Sequence, residues 1–172
     1  PRTAGFNSVD MSTLYTPTIL ITILLMWIGA SPSSTGGGIK TSTFAIATLN
    51  FISLARGKEK IEVYHREIGN TTVRRAFAII TLSLIIIGLG VLLISYFNPN
   101  IALLSIIFEC FSAYSTTGLS LGITANLSSE SKFVLIFIMF IGRVSMLSLL
   151  IAFMKKVKFK NYRYPSEDIL IN

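Results

Sequence analysis

Charge is scarce in this sequence. Only 13% of its 172 residues are Asp, Glu, Lys or Arg, against about 25% in an ordinary soluble domain, and 52% are hydrophobic. A soluble domain of this length can bury a sizeable core without any uninterrupted apolar run of membrane-spanning length. Cysteine is nearly absent as well. The lone Cys110 excludes an intramolecular disulfide framework and a multi-cysteine metal site. Histidine occurs once, as His65 in a polar, charged stretch, and a single imidazole supplies neither a ligand cluster nor a triad. Carboxylates are missing from the apolar runs Leu14–Ala30, Thr43–Ala55, Ala76–Tyr96 and Phe133–Phe153, which argues against a pump-type Na⁺ site built on a mid-helix carboxylate. No Met opens the chain, and Pro1-Arg2-Thr3 is not the charged start of a signal peptide. The sequence therefore reads as a portion of a longer protein.

What is present is a series of apolar runs parted by polar, glycine-bearing breaks. Leu14 to Ala30 is the first run. It meets Ser31-Pro32-Ser33-Ser34-Thr35-Gly36-Gly37-Gly38-Ile39-Lys40, which no lipid-facing helix would contain, and a weaker apolar stretch, Thr43 to Ala55, follows. Together these predict one long helix broken in its middle. Gly57 to Arg75 is polar, of mixed charge, and expected to be partly helical. Ala76 to Tyr96 holds 21 residues and no charge, enough to cross a core of about 30 Å at about 1.5 Å per residue. Asn98-Pro99-Asn100 ends it with a turn. Ile101 to Tyr114 is apolar but short, the length of a re-entrant segment, and leads into Ser115-Thr116-Thr117-Gly118-Leu119-Ser120-Leu121-Gly122. Phe133 to Phe153 is the last run, broken only by Arg143.

The net charge of +7 suggests nucleic acid only until the charges are placed. Arg56, Lys58, Lys60, Arg66, Arg74 and Arg75 fall in the polar connection, and Lys155, Lys156, Lys158, Lys160 and Arg163 in the C-terminal tail. They adjoin apolar runs and lack interleaved stacking aromatics, which argues against a nucleic-acid partner. The pattern is the positive-inside one, so residues 56–75 and 155–172 are expected in the cytoplasm. Parity then constrains the middle. The helices over Ala76–Tyr96 and Phe133–Phe153 both have cytoplasmic far ends, so the segment between them must start and finish outside. A short helix that dips in and a polar stretch that returns satisfy this. Irregular backbone is tolerated at membrane depth only where it lines a water-filled cavity or is buried in protein, so the arrangement predicts a pore.

Thr116-Thr117-Gly118-Leu119 suits such a place, because ion filters replace the hydration shell with backbone carbonyls and glycine permits the backbone conformations that aim them. Arg2-Thr3-Ala4-Gly5-Phe6-Asn7 repeats the theme 113 residues earlier, each glycine being followed by a polar stretch and a long apolar run. The glycine triplet reads differently. Three glycines and two serines after Pro32 make a poor helix and a flexible, close-packing backbone. A phosphate loop is excluded, since Ile39 separates Gly38 from Lys40 where that loop needs Gly-Lys contiguous. Arg143, near the middle of an apolar run, costs about 2.5–3.5 kcal/mol on insertion scales and should face a cavity or a partner. Glu109 is the one carboxylate at comparable depth, on the outer side. Lys40 either lines the loop or snorkels to the interface. Trp27, Tyr96 and the phenylalanines are accounted for by lipid contact, helix packing and interfacial anchoring. Asn70-Thr71-Thr72 and Asn126-Leu127-Ser128 match glycosylation sequons by chance.

Four motifs in this order, Arg2-Thr3-Ala4-Gly5-Phe6-Asn7, Ser34-Thr35-Gly36-Gly37-Gly38-Ile39-Lys40, Tyr114-Ser115-Thr116-Thr117-Gly118-Leu119-Ser120 and Gly142-Arg143, resemble the C-terminal part of the ion-translocating subunit of the Trk/Ktr/HKT superfamily of K⁺ transporters, Ktr-type. The resemblance implies an all-α membrane protein of helix–pore loop–helix repeats, K⁺-channel-like, four of them around one pore. Residues 1–72 would hold the third repeat's filter, its broken second helix and a cytoplasmic connection, 73–154 the fourth repeat, and 155–172 a cytoplasmic tail. It further implies a selectivity filter at Thr3, Ala4, Gly5, Phe6, Thr116, Thr117, Gly118 and Leu119, with K⁺ held by backbone carbonyls alone, and a gate of Gly36, Gly37, Gly38, Lys40 and Arg143. Such a protein is not an enzyme and binds no cofactor. Its transported ion is K⁺, or Na⁺ alone or with K⁺ in a relative of the same fold. Its partners are plasma-membrane lipid, a second copy in a homodimer, and a cytoplasmic nucleotide-binding (RCK-type) regulatory ring.

Overall fold

Helices and very short strands alternate along the computed structural model, which describes Gly5 and residues 7–32, 34–57, 61–63 and 66–144. Thr3, Ala4, Phe6, Lys58, Lys60, His65 and the whole tail from 155 lie outside the described residues. Helix α1 (Thr16–Trp27) takes Pro17 into its first turn, where a missing N–H is harmless. It ends three residues before the apolar run does. Ile28–Ala30 leave the helix as strand β1, parallel to β2 (Ile39–Lys40), with Ile28 opposite Ile39 and Ala30 opposite Lys40. The expected break is there, but its edges are paired rather than frayed. Pro32 biases Ser31 away from helix, and the pairing satisfies backbone groups that an apolar setting would otherwise leave without partners.

Helix α2 (Thr41–Ala55) starts at once and stops at Gly57, whose φ of +67 is the left-handed conformation that glycine favours after a helix. The polar connection carries an antiparallel hairpin, β3 (Glu62–Val63) with β4 (Arg66–Glu67), before α3 (Asn70–Phe97) begins. Helix α3 is six residues longer at its start than hydropathy alone suggests, because Arg74 and Arg75 are good helix formers even though they end an apolar run. Its 28 residues make it the one described helix long and apolar enough to cross a membrane. Only 28% of its most apolar window is buried, which separates it from the core helix of a soluble protein. Leu84, Ile85, Leu89, Leu92 and Leu93 stand exposed on its outer side, an apolar surface suited to lipid.

Helix α4 (Leu103–Ser115) lies at the centre of the bundle. On one side its Phe108 packs with Ile19, Ile23 and Met26 of α1. On the other, Ile106, Cys110, Ala113 and Tyr114 pack with Ile86, Ile87 and Ile94 of α3 and Leu135, Ile138 and Ile141 of α5 (Ser129–Val144). The expected continuation of that last run to Phe153 lies outside the described residues. Asn98 closes the end of the bundle where α3 stops and α5 starts. Its side-chain amide donates to Ser131 Oγ at 2.5 Å, and its Oδ1 accepts the Ser128 N–H at 3.1 Å. The end of α3 and the start of α5 are thus tied together, and the chain between them departs and returns at one end of that helix pair. Among the described residues the fold is helical, with five α-helices and two small sheets that the expected all-α architecture did not include.

Candidate functional site

The site begins where α4 stops. Thr116 has φ +53 and ψ +37, a left-handed conformation that a β-branched residue adopts only when its surroundings impose it, at about 1–3 kcal/mol. Three contacts impose it. The Thr116 N–H reaches the Ala113 carbonyl at 3.2 Å, the Thr117 N–H reaches the Ser112 carbonyl at 3.0 Å, and Thr116 Oγ1 accepts the Gly37 N–H at 2.8 Å. Ser115 Oγ donates to the Phe111 carbonyl at 2.5 Å, which leaves Thr117 Oγ1, 2.9 Å away, to donate to it. Both hydroxyls are buried and both are satisfied. Gly118 follows at φ +83 and faces Gly5 at φ +70. A Cβ on Gly118 would stand 3.0 Å from Gly5 Cα, and a Cβ on Gly5 would stand 3.6 Å from the Gly118 carbonyl oxygen. The two glycines expected to be equivalent therefore meet backbone to backbone. Leu119 is partly buried beyond them.

The glycine triplet reaches the same place from α1. Gly36 and Gly37 are buried. A Cβ on Gly37 would lie 2.9 Å from Thr116 Oγ1 and 2.9 Å from the Tyr114 carbonyl, so only glycine fits without displacement. Gly38 needs its hydrogen for two reasons: φ is +75, and a Cβ would meet the Trp27 carbonyl at 3.1 Å. The alternatives left open for Lys40 are resolved in favour of the loop, since its Nζ donates to the Ser34 carbonyl at 2.9 Å and the Gly36 carbonyl at 2.6 Å. Arg143, in the last described turn of α5, lines with Ser34, Thr35, Gly36, Gly38 and Lys40 a cavity of about 380 Å³. The neighbouring Gly142 lets α5 touch the end of α4, where a Cβ would fall 1.9 Å from the Tyr114 carbonyl oxygen. The structure thus brings Gly5 to Gly118, Gly37 to Thr116, and Lys40 and Arg143 to one cavity.

Two features escaped sequence reasoning. Glu109 is buried in α4 and accepts hydrogen bonds on Oε1 from Ser120 Oγ and, at 3.1 Å, from Thr124 Oγ1. Weighed from the sequence as a partner for Arg143, this carboxylate is engaged by hydroxyls that follow Gly118 instead. Of the roles open to Trp27, the structure supports helix packing, with partners the sequence did not name. Its ring meets Phe111 edge-on with centroids 6.5 Å apart, and its Nε1 donates to Ser83 Oγ at 3.2 Å inside the bundle. The signal available for it was its place at the end of the first run, next to the break that turns the chain inward.

With this geometry in hand, comparison with known proteins is decisive at the level of family. A sequence model of the cation transport proteins called TrkH matches residues 1–163. The chain belongs to the TrkH family. Among curated relatives, "Ktr system potassium uptake protein D" of Bacillus subtilis is 41% identical over 170 residues, covering 99% of this chain and 38% of that protein. "Ktr system potassium uptake protein B" of the same organism is 39% identical over 169 residues, with 98% and 38% covered. "Potassium/sodium uptake protein NtpJ" of Enterococcus hirae is 35% identical over 176 residues, with 99% and 39% covered. The chain spans less than two fifths of the length of these relatives. They are named for ion uptake and not for any enzymatic activity, and the resemblance carried by the four motifs is borne out as to family.

Proposed function

We propose that this chain is the filter-to-C-terminus part of a multi-pass K⁺ uptake protein of the cell membrane, contributing half of a selectivity filter and a gate beside it. The observation that carries the reading is the meeting of Gly5 and Gly118, two left-handed glycines from segments 113 residues apart, with their backbones in contact and no side chain between them. Carbonyls on either side of each glycine, from Thr3, Ala4, Gly5 and Phe6 and from Thr116, Thr117, Gly118 and Leu119, would strip and replace the water of a monovalent cation. Two further segments from the part of the protein outside this chain would complete the ring.

The gate acts through position and charge. Gly36, Gly37 and Gly38 fill the space next to the end of α4, and Lys40 and Arg143 put two positive charges on one cavity. A cation within about 4 Å of one such charge meets about 4 kcal/mol of repulsion at an effective dielectric near 20. That sets an upper limit of roughly a thousandfold on the slowing of passage, which water and counter-ions in the cavity reduce to several-fold. Lys40 spends part of its charge on two loop carbonyls, so Arg143 is the larger barrier. Movement of the loop would widen the cavity and let the ion by.

In this reading residues 56–75 and 155–172 face the cytoplasm, the outer ends of α3 and α5 face outside, and lipid covers the outward apolar faces. The domain limits 1–72, 73–154 and 155–172 follow the repeats. A homodimer and an RCK-type nucleotide-binding ring are the assembly that goes with a Ktr-type subunit, the connection and the tail being the parts turned toward the ring. K⁺ is the preferred ion because two relatives are named for potassium uptake, while the Enterococcus relative supports a second reading in which Na⁺ passes too. Gly118→Ser in the full-length protein should lower the K⁺-over-Na⁺ permeability ratio, and an unchanged ratio would refute the filter. Cysteines placed at Lys60 and Ser128 should react with impermeant reagent from opposite sides; reaction from a single side would overturn the topology.

A further inference from the structure

Glu109 is a buried carboxylate for which conduction and gating, as described, have no use. It is 6% exposed and lies one turn and a half before the end of α4. Ionised, it is an acceptor only, and hydroxyl donors to a charged oxygen make bonds roughly twice as strong as neutral ones. Both of its donors, Ser120 and Thr124, belong to the chain that has just passed Gly118. Ser120 is held a second time, its Oγ accepting the Gly122 N–H at 2.9 Å, and its hydroxyl lies 2.9 Å from that of Thr124. Gly118 and Gly122, at φ +83 and +84, bracket this point. Glycines of this kind have no side chain to hold them and the most conformational freedom to lose.

A cavity of about 360 Å³ lies behind the same stretch, lined by Glu109, Thr116, Gly118, Leu119 and Ser120 among others. The backbone at Gly118 and Leu119 therefore has room to relax away from its position, and Glu109 and Ser120, bonded to each other, line that room. We propose that Glu109 is a positioning residue that, through Ser120 and Thr124, fixes the carbonyls of Gly118 and Leu119 and so sets discrimination between K⁺ and Na⁺. The inference rests on the reading of those residues as filter.

The test is the K⁺-over-Na⁺ permeability ratio of the full-length transporter, measured for Glu109→Ala, Ser120→Ala and Glu109→Gln, with Gly118→Ser as reference. Glu109→Ala and Ser120→Ala should lower the ratio about fivefold or more, the size of one ordinary hydrogen bond, while Glu109→Gln, whose amide oxygen still accepts both hydroxyls, should stay within about twofold. A ratio unchanged in both alanine variants but lowered by Gly118→Ser overturns the brace and leaves the filter standing. If Gly118→Ser changes nothing either, the filter reading itself has failed. Glutamine as damaging as alanine would mean that charge acts rather than geometry, which also overturns the proposal. Should Glu109→Ala not accumulate in the membrane, Ser120→Ala, which keeps the carboxylate and its bond from Thr124, decides alone.

Discussion

The two glycine-bearing breaks in this molecule are held in different ways. After α4, residues 115–120 are fastened side chain by side chain: Ser115 to Phe111, Thr117 to Ser115, Thr116 to Gly37, and Ser120 to Glu109. After α1, the described residues of 31–38 are fastened at their edges by the pairing of β1 with β2. Local bonds run from the Ser34 N–H to the Ser31 carbonyl and from the Gly36 N–H to Ser34 Oγ, Lys40 Nζ holds two carbonyls, and the Gly37 N–H donates to Thr116. The first segment can keep ångström-scale geometry while ions change. The second can leave its place at the cost of a few bonds. A pore needs one of each, and glycine serves both: as a backbone that bends where side chains around it insist, and as one that slips in where no side chain fits.

That contrast can be broken most severely at the frame the two segments share. Gly142→Ala forces a methyl group to within 1.9 Å of the Tyr114 carbonyl unless α5 moves, and overpacking of this kind costs about 1–3 kcal/mol. The purified full-length protein should melt several degrees lower, and an unaltered melting point would show that α5 does not press on α4 there. Crossed readouts sharpen the comparison next. Arg143→Ala and deletion of Gly36–Gly38 should each raise K⁺ flux several-fold with the K⁺-over-Na⁺ ratio intact, the reverse of the effect of Gly118→Ser. Flux that stays at the wild-type rate in both would remove the gate. The smallest effect belongs to the Gly37–Thr116 bond that joins the segments. Thr116→Val leaves the buried Gly37 N–H without its acceptor, about 1–3 kcal/mol against the seated loop, so flux should rise while Thr116→Ser behaves as wild type. Equal flux in the valine and serine variants would dissociate loop from filter.

Much of this was legible in the residues. Apolar runs located α1, α2, α4 and the described part of α5 to within about four positions and α3 to within six, because lipid-facing and core-facing helices both need unbroken hydrophobic stretches. Pro32 and the glycines located the break. The repeat of a threonine two places before a glycine singled out Gly5 and Gly118, which the fold then brings together. What the pattern could not carry were contacts made by chain reversal. Ile28–Ala30 are as apolar as the helix they leave, so nothing in hydropathy marks them as a strand. Glu109 meets hydroxyls 11 and 15 positions later across a turn whose course depends on two left-handed glycines. Of the three roles weighed for Trp27, helix packing holds, but its partners Phe111 and Ser83 lie far along the chain and hydropathy does not name them.

The pairing of Ile28–Ala30 with Ile39–Lys40 has a mechanical consequence. It staples the exit of α1 to the entry of α2, so on the proposed gate reading the loop between them would lift as a flap on a fixed hinge rather than as the tip of a lever. Neither helix would then have to tilt or slide for the flap to lift. A gate built in this way would respond little to membrane thickness or tension. It answers instead to whatever pulls on the flap or on the residues that seat it.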